Sequence, residues 1–114
     1  MNPALSTAVS GLMTQQTRLD VHAHNIANAN TPGFKASRLS QSEVAGGGTQ
    51  VASITRDASP GPLEDVDGAY EESSNTDLAS EMVGLITAQR GFEANLPVIR
   101  TQDKMIGSLL DILA

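Results

Sequence analysis

The chain has 114 residues, a length suited to one small domain, and only three aromatic residues with no Trp, so burial must come from Leu, Ile, Val, Met and Ala rather than a wide aromatic core. A formal net charge of -6 argues against a nucleic-acid partner, and zero Cys excludes disulfides and cysteine metal sites. No run of about 18 apolar residues offers membrane insertion, and Met1 to Thr7 lack the basic and apolar regions of a secretory signal.

The pattern divides into residues 1–35, 36–75 and 76–114, forming one structural unit of mainly α class. The first segment reads as a long helix with Asn2 as N-cap and Pro3 at the first helical position, where a missing N–H is no loss. Leu5, Val9, Leu12, Gln16, Leu19, Ala23, Ile26 and Asn30 alternate four and three residues apart, a heptad seam on an element about 40 Å long. The helix must stop in Asn25-Ile26-Ala27-Asn28-Ala29-Asn30-Thr31-Pro32-Gly33-Phe34-Lys35. The asparagines tolerate capping and left-handed conformations, Pro32 pushes Thr31 out of the helical region, and Gly33 can take positive φ.

In the middle segment, residues 34–44 and 49–56 flank Ala45-Gly46-Gly47-Gly48, predicting a short β-hairpin with a glycine turn. Asp57-Ala58-Ser59-Pro60-Gly61-Pro62 ends it, and the acidic stretch that follows is expected to be irregular, solvated chain. Every charged position from Asp57 to Glu81 is acidic.

A second long helix is expected from residue 76 onward. Leu78, Met82, Leu85, Gln89, Phe92, Leu96, Ile99, Asp103, Ile106, Leu110 and Leu113 repeat the four-three spacing over five heptads. The two amphipathic helices are natural partners for an antiparallel, coiled-coil-like pair. A register in which facing residue numbers sum to 119 sets Gln16 against Asp103 and Asn30 against Gln89, matching polar layers. Pro97 opposes a straight rod: it loses a backbone bond and crowds the Glu93 carbonyl at a cost of about 3 kcal/mol, predicting a kink near residues 93–96 or a split into two helices. Gly84, Gly91 and Gly107 weaken helix propensity by about 1 kcal/mol each. Ala23, Ala27, Ala79, Ala88, Gly91 and Ala94 are small enough to let helices approach closely.

A search for catalytic or cofactor-binding residues finds none, and no enzyme is expected. His22 and His24 lie two apart on a helix, where they cannot share one metal, and read as surface histidines. Glu71-Glu72 and Asp65 with Asp67 have no apolar surroundings to shift a pKa, and Gly46-Gly47-Gly48 lacks the Lys and Ser or Thr of a phosphate loop.

The stretch Asn25 to Lys35, with Asn28, Asn30, Thr31, Pro32, Gly33 and Phe34 at its centre, resembles the N-terminal signature of the bacterial flagellar rod and hook family. Asn75-Thr76-Asp77-Leu78-Ala79-Ser80-Glu81-Met82-Val83, continuing through Gln89 to Asn95, is similar to that family's C-terminal signature. With no large insertion between the two ends, the pattern looks most like the small proximal-rod members. The resemblance implies a structural subunit of the basal-body rod, exported unfolded through the flagellum's own type III apparatus without a cleaved signal. It implies terminal helices that are loose in the monomer and order against other rod subunits and copies of itself, in a periplasm-spanning shaft. The competing expectation is a soluble coiled-coil adaptor or export-linked binding protein that holds one specific helix.

Overall fold

The computed structural model describes residues 3–113. The order is α1 (Pro3–Ala27), β1 (Ser37–Glu43), β2 (Thr49–Arg56), β3 (Leu63–Val66), β4 (Ala69–Glu72) and α2 (Leu78–Leu113). The molecule is drawn out to 77 × 23 × 16 Å. It is mainly α, two long terminal helices joined through two antiparallel hairpins, β1–β2 and β3–β4.

Helix α1 begins at Pro3, the first helical position, while its expected N-cap Asn2 lies outside the described residues. The helix ends at Ala27, so Asn30 of the predicted seam falls in the turn beyond it. Asp77 starts α2: its carboxylate accepts the amides of Ala79 at 3.2 Å and Ser80 at 3.4 Å, and its carbonyl accepts the Glu81 amide at 3.0 Å. From there α2 runs 36 residues as one helix through Pro97, so the two-helix alternative is not adopted.

The β1–β2 hairpin forms as the glycine turn predicts, with a register shift between Ser40 and Gln41 and positive φ at Gly46, Gly47 and Gly48. It folds back along one face of α1. The Ser10 hydroxyl accepts the Thr49 amide at 3.1 Å, the Thr49 and Thr14 hydroxyls meet at 3.3 Å, and the Arg18 guanidinium donates twice to Gln41 Oε1 at 3.0 and 2.9 Å. The acidic stretch corrects its expectation, for it closes into β3–β4 rather than staying irregular. Asp67 and Gly68, at φ 53° and 86°, supply the two left-handed residues of a tight hairpin turn, and Asp65 accepts the Gly68 amide at 2.9 Å. Among the described elements this second hairpin packs against neither helix nor the first sheet.

Helix α2 packs against α1 and no other element. The pair is antiparallel, but not in the register that the polar seam positions suggest. A Cβ placed on Gly11 would lie 3.0 Å from Asn95, on Gly91 2.9 Å from Gln15, and on Gly84 2.6 Å from His22 Nε2. Facing numbers therefore sum to 106, a slip of 13 residues or about 20 Å from 119, and Gln16 is far from Asp103. The reason is steric: glycines on one helix receive the large side chains of the other. Gln16, Gln89 and Asp103 are exposed, so no buried polar layer needed matching.

This register also rotates the seam. On α2 the covered residues are Glu81, Gly84, Leu85, Ala88, Gly91, Phe92, Asn95, Leu96, Ile99 and Gln102, so the Leu85, Phe92 and Ile99 row stands, while in the other row Met82, Gln89 and Asp103 turn outward and Leu96 stays half-buried. Close approach uses Ala8, Gly11, Gly84, Ala88 and Gly91; the alanines at 23, 27, 79 and 94 are exposed. Among the described residues the buried apolar ones are few and small: Ala8, Val21, Ala36 and Ala88. Among the described residues, no buried side-chain polar atom lacks a hydrogen-bond partner.

A hinge clamp and a candidate assembly surface

The Asn-rich motif is the knot where the chain leaves α1, builds both hairpins and returns to α2. Among the described residues Asn25 is the one large side chain with no exposed surface, and its amide grips Ser37 from both sides. Asn25 Nδ2 donates to the Ser37 carbonyl at 2.8 Å, and the Ser37 amide donates to Asn25 Oδ1 at 2.9 Å, as a neighbouring strand would. The turn that follows is wound by Asn28 Nδ2 to the His24 carbonyl, the Thr31 hydroxyl to Asn28 Oδ1, and the Phe34 amide to the Thr31 carbonyl. Gly33, at φ 71°, takes the left-handed conformation that Pro32-Gly33 prepares, and its amide donates to the Glu72 carbonyl at 2.8 Å. Phe34 stacks edge-on to His24 at 5.5 Å. Asn30, Thr31 and Pro32 face solvent.

Asn75 mirrors Asn25 at the start of the return path. Its Oδ1 accepts the Ala36 amide at 2.7 Å, and its Nδ2 donates to the carbonyls of Asp57 and Ser59 at 2.8 and 2.9 Å. Lys35 donates to the Ser59 carbonyl at 3.0 Å and pairs with the Glu72 carboxylate, which also accepts the Gly61 amide at 3.0 Å. Glu72 is held below its ordinary pKa first by the Lys35 ammonium and then by that amide. Hydrogen bonds from the Ser59 hydroxyl and amide, reinforced by Arg38, hold Asp57 well below the usual carboxylate range. Sequence reasoning found the first half of this clamp and missed Asp57, Ser59, Gly61 and Glu72. Asn75 was visible as the opening residue of the second signature, but its partners are distant in sequence.

His22 also departs from expectation. It is covered by α2, and its Nδ1 lies 2.6 Å from Glu81 Oε2, whereas His24 is exposed. Among the described residues, no three His, Asp or Glu side chains gather as a possible metal set.

The predicted seam residues divide into two groups. Leu5, Val9, Leu12, Leu19 and Ile26 on α1 and Leu85, Phe92, Leu96 and Ile99 on α2 are half-buried. At about 100° per residue the leucine row of α1 lies on the flank away from the β1–β2 hairpin, and an antiparallel pair brings like flanks together. The two rows thus share one side of the pair. Leu78, Met82, Ile106, Leu110 and Leu113 are exposed, at 47%, 52%, 39%, 62% and 82%. The last three belong to a tail: in the observed register Pro3, the first described residue of α1, stands opposite residue 103, and none of the described residues of α1 faces the ten that follow.

A clamped hairpin of terminal helices with an apolar flank and tail exposed among the described residues defines a class of protein that works through its surfaces, as a subunit of an assembly. The particular family follows from comparison with known proteins: the chain belongs to the flagellar basal-body rod protein family. The family model for the flagella basal body rod protein matches residues 5–35, and that for the flagellar basal body rod FlgEFG protein C-terminal matches residues 68–112. The chain is similar to the flagellar basal-body rod protein FlgC of Buchnera aphidicola, 31% identical over 90% of each chain. It is likewise similar to FlgC of Borreliella burgdorferi, 32% identical over 96% of this chain and 95% of that one. A flagellar hook protein, FlgE of Helicobacter pylori, is 38% identical over 48% of this chain but only 8% of its own length.

Proposed function

We propose that this protein is a structural subunit of the flagellar basal-body rod, exported through the flagellar apparatus and packed through its terminal helices against other rod subunits in the periplasmic shaft. The observation that carries the reading is the unequal length of the helices. An intramolecular pair that matched its helices would close its seam on itself, whereas here the register leaves a ten-residue apolar tail and a half-buried flank for neighbours. FlgC relatives spanning nearly the whole chain support the same reading, and no feature favours the adaptor alternative. Leu5, Leu12, Leu19, Ile26, Leu85, Phe92, Leu96 and Ile99 serve as the lateral contact row, with Leu78 and Met82 at its edge. The clamp around Asn25, Phe34 and Lys35 fixes the angle at which the hairpins leave the shaft. The work is mechanical rather than enzymatic.

The test is co-sedimentation of the purified protein with the other rod subunits, compared with Met82→Asp. Met82 is exposed, so the variant should keep its helicity while losing co-assembly by tenfold or more. Saturation at a small fixed ratio with one partner, or unchanged assembly of the variant, refutes the reading.

A further inference from the structure

The β1–β2 hairpin and α2 both lie against α1, and neither packs against the other. Between them runs a groove of about 580 Å³, with Arg18 and His22 of α1 as its floor and Gln41 of β1 and Gly84, Thr87 and Gly91 of α2 as its walls. A second cavity of about 260 Å³ shares Arg18 and His22 and carries the groove on to Leu39 and Glu81. The edge of β1 that borders this space is open. The Ala36 carbonyl accepts the Asp57 amide and the Val44 amide donates to the Gly48 carbonyl, so the even-numbered positions along β1 turn toward β2. The register shift skips Ala52 of β2, which leaves the alternation along β1 unbroken, and the odd-numbered positions turn away from β2. Asn25 answers the main chain of Ser37, and among the described residues nothing answers that of Leu39 or Gln41.

We infer that this edge takes a single extended strand from a different protein, paired antiparallel to β1 and carrying an acidic residue opposite Gln41. Leu39 and Gln41 offer two amides and two carbonyls at the spacing of an antiparallel ladder, and the Asn25 side chain ends that ladder at Ser37. Charge sets the acidic residue. Both guanidinium hydrogen bonds of Arg18 go to the one amide oxygen of Gln41, and among the described residues no carboxylate pairs with it. The other charged groups facing the groove are already matched, His22 with Glu81 and Arg38 with Asp57. A residue directly opposite Gln41 shares its face of the ladder, so its carboxylate meets the Arg18 fork at both nitrogens. Two positions on, opposite Leu39, an apolar side chain continues that face over Val21. Room decides that the occupant is one strand: at roughly 160 Å³ per residue, from the rise and spacings of strands, the groove holds about four residues. A second copy cannot offer its own β1 edge, which its α2 walls in the same way, and its β3–β4 hairpin is two strands wide.

The probe is the capped peptide Thr-Thr-Glu-Thr-Val-Thr, titrated into the isotope-labelled full chain and followed by amide NMR. Binding at roughly 0.1–1 mM, the weak range suited to so short a ligand, should shift the amides of Leu39, Gln41, Gly84 and Gly91 and slow hydrogen exchange at the first two. Replacing the peptide's Glu by Gln should weaken binding about fivefold, since a charge-assisted pair becomes a neutral one. N-methylation of its Glu and Val removes the two donors to β1 and should abolish binding. On the protein side, Arg18→Met should bring the Glu and Gln peptides to equal affinity. Thr87→Trp fills the groove from an exposed position and should prevent binding with helicity unchanged. Absence of shifts at Leu39 and Gln41 up to several millimolar peptide, equal affinity of the Glu and Gln peptides for the unaltered chain, or binding that survives N-methylation overturns the inference. Each of those results would leave the Met82→Asp test of the rod reading untouched, because Met82 does not line the groove.

Discussion

Asn25 offers the sharpest test of the hinge. Its side chain is fully buried and makes two hydrogen bonds, both to main-chain groups of Ser37. Asn25→Ala leaves an N–H and a C=O without their partner, at about 1–3 kcal/mol each, and opens a small void besides. The expected loss is about 3–4 kcal/mol, a large share of the roughly 5–15 kcal/mol by which domains are stable. With a urea slope of about 2 kcal/mol per M, the unfolding midpoint followed by far-UV circular dichroism should fall by about 1.5–2 M. Asn25→Asp should cost nearly as much, because a carboxylate keeps the acceptor but loses the donor and faces the Ser37 carbonyl oxygen. The Ser37 amide should also exchange its hydrogen faster in both variants. A loss under about 1 kcal/mol for Asn25→Ala, or Asn25→Asp matching wild type, would refute the claim that this amide ties β1 to α1.

Three further outcomes follow from the same geometry. Gly84→Ala brings a Cβ against the His22 ring and should destabilise the helix pair by about 1–3 kcal/mol; in a double-mutant cycle His22→Ala should restore most of that loss, and additive effects would show that the ring is not the obstacle. Gly107→Ala meets nothing within 4 Å and should raise helicity, gaining up to about 1 kcal/mol; no gain in thermal stability would mean the tail is not helical in the free protein. Stability should fall in acid. Asp57 and Glu72 have folded pKa values below their unfolded ones, so their contribution is present above about pH 4–5 and is lost as pH drops through the folded values. Lys35→Met and Ser59→Ala together, which remove the largest cause of each shift, should flatten the pH 2–5 part of that curve, and an unchanged curve would remove these carboxylates as its cause.

The candidate site was legible in part, and what decided legibility was the sequence distance over which each interaction acts. Helix breaks are local: Pro32 and Gly33 act within two or three residues, as does the glycine turn of β1–β2. The Asp67-Gly68 turn is equally local, and the acidic residues around it obscured it. Asn25 could be singled out as part of the motif, but its grip on Ser37 and the matching grip of Asn75 on Ala36 join segments that only the fold brings together. His22 shows the same limit. Its spacing marks it as no metal ligand, yet only α2 supplies the glycine beneath its ring and the Glu81 beside it.

The amino-acid sequence alone determined two amphipathic helices at the ends, a hairpin between them, the place where the first helix stops, and the family resemblance carried by the two signatures. All of these rest on periodicity or on residues close together in the chain. Tertiary structure decided the register, because a heptad pattern is satisfied equally well after a slip of about two heptads. The choice fell to the fit of Gly11, Gly84 and Gly91 against Asn95, His22 and Gln15. That choice turned Met82 outward and left residues 104–113 uncovered by the described residues of α1, so the exposed apolar surface was set by where the two helices lock rather than by which residues are apolar.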